Sequence, residues 1–259
     1  MEEPHVRYEL LQSTARLTID RPQMRNALSS QAMRELEEGL ARAEQDAAAR
    51  VVVLTGAGSK AFCSGGDLST MAGEGFLEAH DARRAYGLLL RRIQDCRKPT
   101  IARVNGTALA GGLGLVLACD LAVAAPTATF GLPEIDRGLF PMQVIALLQR
   151  HLGRKRALWL VMSGTRITAG EALDLGLVNR VAPAEALDAA VDELARVLAG
   201  KSLGVLALGK RAFGFAEDLP LPAAMELLAS QLSLNVLCED ASEGVTAFLE
   251  KRQPHWKDR

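Results

Sequence analysis

Glu134 stands directly after Pro133 in the stretch "TFGLPEIDRGLFPM", flanked by Phe130, Leu132, Ile135, Leu139 and Phe140. A carboxylate among apolar neighbours is harder to ionise, and a raised pKa suits proton transfer near neutral pH. The same residue early in a helix reads equally well as an acid placed in water to suit the helix dipole. Upstream lie two glycine pairs, Gly65-Gly66 in "CSGGDL" and Gly111-Gly112 in "ALAGGLGL". Each follows an apolar run that reads as a buried strand. Bare backbone N–H groups at such points approach a ligand oxygen without a side chain in the way. Two of them converging on a carbonyl oxygen make an oxyanion hole, which stabilises an enolate or a tetrahedral intermediate. Taken singly, each pair reads first as close packing of helix against strand.

Other chemistries fit the residues less well. A dinucleotide loop needs G-x-G-x-x-G opening a helix with an acid about 20 residues on, whereas here the glycines run G-G-x-G and Asp120 comes too soon. A phosphate loop fails for want of Gly-Lys-Ser/Thr. Cys63, Cys96, Cys119 and Cys238 are too far apart to match a metal pattern and read as reduced, buried thiols. His5, His80, His151 and His255 are scattered and read as surface residues.

Positioning these groups requires a sizeable core, and the chain can build one. Its 259 residues are 49% hydrophobic with a net charge of -1, so nothing basic advertises nucleic acid. No apolar run approaches the roughly 20 residues of a membrane span. The acidic start "MEEPHVRYEL" has no apolar signal core, which points to a cytoplasmic protein. "VRYELLQSTARLTID" predicts a hairpin, and Ser29 predicts the N-cap of a helix running to Arg50, with Met33, Leu36, Leu40 and Ala43 on one face. "RVVVLTGAG" and "KPTIARVNG" predict strands buried on both faces, and "SKAFCSGGDLSTM" a loop. A helix follows from about Phe76 to Cys96, another covers the glycine-rich stretch, and "CDLAVAAPTATFGLPE" predicts two short strands. Alternating strand and helix argue for an α/β core. From Pro133 onward the pattern is helical: Met142 to Leu152, Arg154 to Ser163, Ala169 to Leu175 and Pro183 to Gly200, then Leu203 to Lys251 with breaks at Pro220 and Pro222.

Five stretches, "RPQMRNALS", "KAFCSGGDL", "ARVNGTALAGGLGLVLACDLAVAA", "ATFGLPEIDRGLFP" and "SEGVTAFLEKRQPHW", occur in the order found in the enoyl-CoA hydratase/isomerase (crotonase) superfamily. The chain resembles that family from about Val6 to Trp256. The resemblance implies an α/β fold, a crotonase-like spiral of repeated ββα units over residues 1–198, with a helical C-terminal trimerisation region over 199–259. It implies an acyl-CoA thioester as substrate and partner, no separate cofactor since coenzyme A belongs to the substrate, no metal, and a homotrimer or homohexamer. By motif, the N–H groups that would hold the thioester oxygen fall on Gly66 and Gly111. Coenzyme A would lie along Met24, Arg25, Ser64 and Leu68, while Phe248 and Lys251 match positions that reach a neighbouring subunit's coenzyme A.

One departure stands out. Typical hydratases of the family carry a glutamate after the Gly-Gly-x stretch and a second in the Pro-Glu motif; here the first position is Gly114 and only Glu134 remains. One reading keeps reversible hydration, with Glu134 serving as both base and acid. The other is isomerisation, with Glu134 shuttling a proton between C2 and C4 of a 3-enoyl-CoA. A non-catalytic binding protein and a thioester hydrolase are more distant readings. "GLFPM", where simple hydratases carry Gly-Ala-Gly-Gly-Thr, implies a reshaped acyl pocket. With the room at Gly114 and the cation of Arg137, it suggests a branched or carboxylated acyl group such as 3-methylglutaconyl-CoA.

Overall fold

A computed structural model describes residues 3–67 and 75–259. The chain opens with the expected hairpin, β1 (Val6–Leu11) against β2 (Thr14–Ile19), paired antiparallel from Val6↔Ile19 to Leu11↔Thr14. Helix α1 (Ser30–Gln45) follows, its first turn capped by the Ser29 hydroxyl, which accepts from the Ala32 N–H at 3.1 Å. Ala32, Leu36, Leu40 and Ala43 face the core, with Met33 at its edge. The helix stops at Gln45, short of the expected Arg50. Asp46 turns extended and its carboxylate takes the Ala48 N–H at 2.9 Å. The buried Lys98 ammonium then gathers the carbonyls of Ala43, Asp46 and Ala49, so the helix end is satisfied by a side chain from elsewhere.

Three ββα-like turns build the core. β3 (Val51–Gly56) and β4 (Ala61–Cys63) precede α2 (Phe76–Gln94), and β5 (Thr100–Val104) and β6 (Thr107–Leu109) precede α3 (Gly111–Ala118). β7 (Leu121–Ala124) and β8 (Thr129–Gly131) precede a 3-10 turn at Pro133–Arg137 and α4 (Val144–His151). α5 (Arg154–Ser163), β9 (Arg166–Thr168), α6 (Ala169–Asp174) and β10 (Arg180–Val181) complete the two sheets. The first strand of each turn joins one sheet, in the order β1-β2-β3-β5-β7-β10, and the second joins another, β4-β6-β8-β9. Within each sheet the successive turns lie parallel, as a chain winding one way requires. β3 is buried along its whole length.

Sequence periodicity misses four short strands. β4 falls inside the stretch expected to be a loop, β6 inside the glycine-rich stretch expected to be helical, and β9 and β10 inside the expected helical run. At two or three residues each they are too short to show a period; pairing with β6, β8 and β7 makes them strands.

α7 (Leu187–Ala199) covers the outer face of the first sheet, placing Leu187, Ala190, Val191 and Ala195 on Val51, Val53, Ile101 and Val123. α8 (Leu203–Ala216), α9 (Leu221–Val236) and α10 (Glu239–Leu249) pack on one another. Pro220 precedes α9, but Pro222 does not break it: it sits in the first turn, where a missing N–H costs nothing. Arg50 ties this region to the sheet, donating to the carbonyls of Ala199 and Lys201 and pairing with Asp258 at 2.8 Å. No single described helix is long and apolar enough to cross a membrane; α9 and α10 pass that test only as a pair, bent by 73°.

Candidate active site

The two glycine loops leave the ends of the neighbouring parallel strands β4 and β6, and the fold presses them together. A Cβ on Gly65 would lie 2.6 Å from the Ala110 Cβ and 3.3 Å from the Gly111 nitrogen. One on Gly112 would lie 2.1 Å from the Cys63 carbonyl oxygen. Glycine is therefore required for this approach, and Gly65, at φ +100, is also in a conformation that other residues rarely adopt. Ala110, with a side chain, is held at φ 53 and ψ -128, a strained conformation directly before Gly111. Strain of this kind persists only where the surroundings enforce it. Here it aims the first peptide of α3 toward the Gly65–Gly66 loop.

Among the described residues, neither the Gly66 N–H nor the Gly111 N–H donates to a protein acceptor. Gly66 is exposed and Gly111 half-buried, so both remain open to a ligand, with the positive end of α3 behind Gly111. The Gly66 loop is held by its neighbours: the Leu28 N–H donates to the Gly65 carbonyl at 2.8 Å and the Asp67 N–H to the Leu28 carbonyl at 2.9 Å. Arg21 pairs with Asp67 at 2.9 Å, both largely buried.

Met24, Arg25 and Ser64 come together beside this loop. The Ser64 N–H donates to the Arg25 carbonyl at 3.1 Å, and its hydroxyl points to the Met24 carbonyl at 3.5 Å. Arg25 and Asn26 take left-handed φ values of 51° and 57°, turning the chain so that Arg25 stays in solvent. Buried Asn26 pins the turn by donating to the Ala57 and Ala61 carbonyls at 3.0 and 2.7 Å. Leu68 lies outside the described residues. Phe248 and Lys251 sit exposed at the end of α10, apart from this cluster.

Glu134 occupies the 3-10 turn after β8. One carboxylate oxygen, Oε2, is buried with no hydrogen-bond partner among the described residues. Desolvation pushes the Glu134 pKa above the ordinary carboxylic value of 4.5, against a smaller opposing pull from its own peptide and from Arg137. Arg137 itself is exposed and donates to the Pro133 carbonyl at 3.2 Å. Cys63, Cys96 and Cys119 are buried free thiols, and burial pushes Cys63 up to about 12 and Cys96 up to about 11, so they stay protonated and inert. No cluster of metal-ligating side chains occurs among the described residues.

Position 114 corrects an expectation. The room left by its missing side chain is not open to substrate, because Tyr86 of α2 fills it. A Cβ on Gly114 would lie 2.0 Å from the Tyr86 hydroxyl, and one on Gly111 would lie 3.2 Å from the same ring. The phenol donates to the Gly111 carbonyl at 2.8 Å. Burial raises its pKa well above the usual value, and the negative charge of Glu134 pushes in the same direction.

The sequence profile described as enoyl-CoA hydratase/isomerase matches residues 9–259. The chain belongs to the enoyl-CoA hydratase/isomerase family. A crotonyl-CoA hydratase from Syntrophomonas wolfei is 34% identical over 93% of this chain and 93% of its own length. A 2,3-dehydroadipyl-CoA hydratase from Escherichia coli is 36% identical, covering 94% of each chain. The crystal structure of an enoyl-CoA hydratase from Mycobacterium smegmatis superposes with a TM-score of 0.93 at 36% identity, over 98% of this chain and 99% of that one. The crotonase-like fold implied by the five motifs is thus the fold observed.

As an enoyl-CoA hydratase/isomerase family member, this chain brings the Gly66, Gly111, Met24, Arg25 and Ser64 positions into one region. Sequence reasoning missed Tyr86. The only signal for it is that Gly111 and Gly114 are three residues apart and so share a face of α3. That spacing says one neighbour leans in, but not which one.

Proposed function

We propose that the protein is an enoyl-CoA hydratase/dehydratase, a lyase that adds water reversibly across the C2–C3 double bond of an enoyl-CoA. The observation that carries this reading is the junction of the Gly65–Gly66 loop with the start of α3, where the Gly66 and Gly111 N–H groups have no protein acceptor among the described residues. A thioester oxygen held by Gly66 and Gly111 would gain negative charge as an enolate forms, and both donors strengthen as it does. Glu134 then moves the proton. In dehydration its carboxylate takes the C2 proton and returns it to the departing C3 hydroxyl; in hydration it takes a proton from water and delivers it to C2. Each direction conserves one proton on one carboxylate. The raised pKa of Glu134 brings its basicity closer to that of the groups it serves.

Coenzyme A lies along Met24, Arg25, Ser64 and Leu68 in this reading, with Arg25 as the exposed cation for a phosphate. Phe248 and Lys251 reach a neighbouring subunit's coenzyme A in a trimer or hexamer. Isomerisation of a 3-enoyl-CoA is the second reading, favoured by the absence of a second carboxylate at position 114. A carboxylated acyl group fits the relative named for 2,3-dehydroadipyl-CoA.

The test uses purified protein with crotonyl-CoA, a 3-enoyl-CoA and 3-hydroxy-3-methylglutaryl-CoA, following the absorbance of the conjugated thioester. Turnover of crotonyl-CoA or of the hydroxyacyl thioester supports hydration. Turnover of the 3-enoyl-CoA alone replaces it with isomerisation.

A further inference from the structure

Addition of water at C3 needs the water held with its lone pair facing the carbon. That requires acceptors for both of its hydrogens. Glu134 Oε2 is one such acceptor, buried and without a partner among the described residues. A single carboxylate leaves the second hydrogen unplaced, and Gly114 offers no side chain to take it.

Tyr86 supplies what is missing. Its only proton is committed to the Gly111 carbonyl at 2.8 Å, which leaves the phenol oxygen's lone pairs free to accept. The oxygen stands where a side chain at position 114 would begin, 2.0 Å from the place of the absent Cβ. Glycine at both 111 and 114 is what admits the ring: a Cβ on Gly111 would press the ring at 3.2 Å.

We infer that Tyr86 is a further catalytic residue, its phenol oxygen accepting one hydrogen of the water, or of the C3 hydroxyl, whose other hydrogen faces Glu134. This rests on the hydratase reading above and deepens it. The step balances without ionising the phenol. As the water oxygen bonds to C3, one water proton passes to Glu134 and from there to C2, and the other stays on the new hydroxyl, still donated to Tyr86. The burial that holds the phenol neutral suits this role, since a permanent acceptor with a fixed proton needs no second proton path.

Tyr86→Phe removes the oxygen and keeps the ring on Gly111. Two reactions of the protein separate the roles: hydration of crotonyl-CoA, and exchange of the C2 protons of butyryl-CoA in deuterated water followed by NMR. Exchange needs only the oxyanion donors and Glu134. In Tyr86→Phe, hydration kcat falls roughly ten- to a hundredfold, with KM within about twofold and exchange within about threefold of wild type. Gly114→Ala, whose methyl group displaces the phenol, reproduces the same selective loss. Tyr86→Phe hydrating at the wild-type rate overturns the inference. Equal loss of hydration and exchange also overturns it, because the hydroxyl would then serve the Gly111 peptide or the fold and not the water. A wild-type protein that exchanges C2 protons but hydrates nothing sinks the hydratase reading itself, a result distinct from either.

Discussion

At the scale of single residues, the proposed reaction rests on one carboxylate, and its surroundings set when it would work. Glu134 is harder to ionise than an ordinary glutamate, chiefly because burial strips water from it. A general base must be ionised, so kcat/KM should fall on the acid side through a limb lying above 4.5. A pH–rate profile checks this, and Glu134→Gln should lose the limb together with about 10²- to 10⁴-fold in kcat while still binding coenzyme A thioesters. The same burial has a stability consequence. The folded state holds its proton to higher pH than the unfolded chain does, so the folded state binds more protons in the window between the two pKa values. Stability is therefore lost as pH rises through that window. Glu134→Gln should unfold at higher denaturant than wild type at neutral pH, and the gain should vanish once pH falls below the unfolded carboxyl range of about 4.3. Glu134 was legible in the sequence only as an open choice between a desolvated base and a solvated acid, and two of its apolar flanks, Ile135 and Leu139, lie exposed. Tyr86 was not legible at all, because residue types 28 positions apart say nothing of contact until α2 is laid against α3.

At the scale of elements, the site depends on how closely α3 docks on the end of β4. A methyl group at Gly112 would meet the Cys63 carbonyl oxygen at 2.1 Å, and backbone cannot rotate away as a side chain can. Gly112→Ala should destabilise the protein by about 1–3 kcal/mol, read from chemical denaturation, and should lower hydration by displacing the Gly111 N–H. The long buried strands and amphipathic helices were readable because their periods are set by burial on one or two faces. β3 and α1 show this, being long enough for the pattern to be read. The end of α1 was not readable, since a lysine more than fifty residues away satisfies its last carbonyls. β4 and β6 were the costliest omission at three residues each, because their pairing is what sets the two glycine loops side by side.

At the scale of the whole molecule, the winding of two strands per turn puts the ends of β4 and β6 next to each other, and so turns two unremarkable glycine pairs into one site. The C-terminal helices leave a large apolar surface in water: Leu221 is 74% exposed, Leu237 81%, Phe248 81% and Leu249 73%. Surfaces of this kind on a single chain mark contacts with another. Light scattering after gel filtration should give three or six times the 27.7 kDa chain mass, and a monomeric mass would leave Phe248 and Lys251 no neighbouring coenzyme A to reach. The motifs legible in the sequence named the family, but the distances between them belong to the fold. Those distances make the central claim directly measurable in a crystal structure with crotonyl-CoA bound to the Glu134→Gln protein. The account predicts the thioester oxygen at about 2.7–3.2 Å from both the Gly66 and Gly111 nitrogens, with side chain 134 against C2. A thioester oxygen facing solvent, or bonded to neither nitrogen, would contradict it.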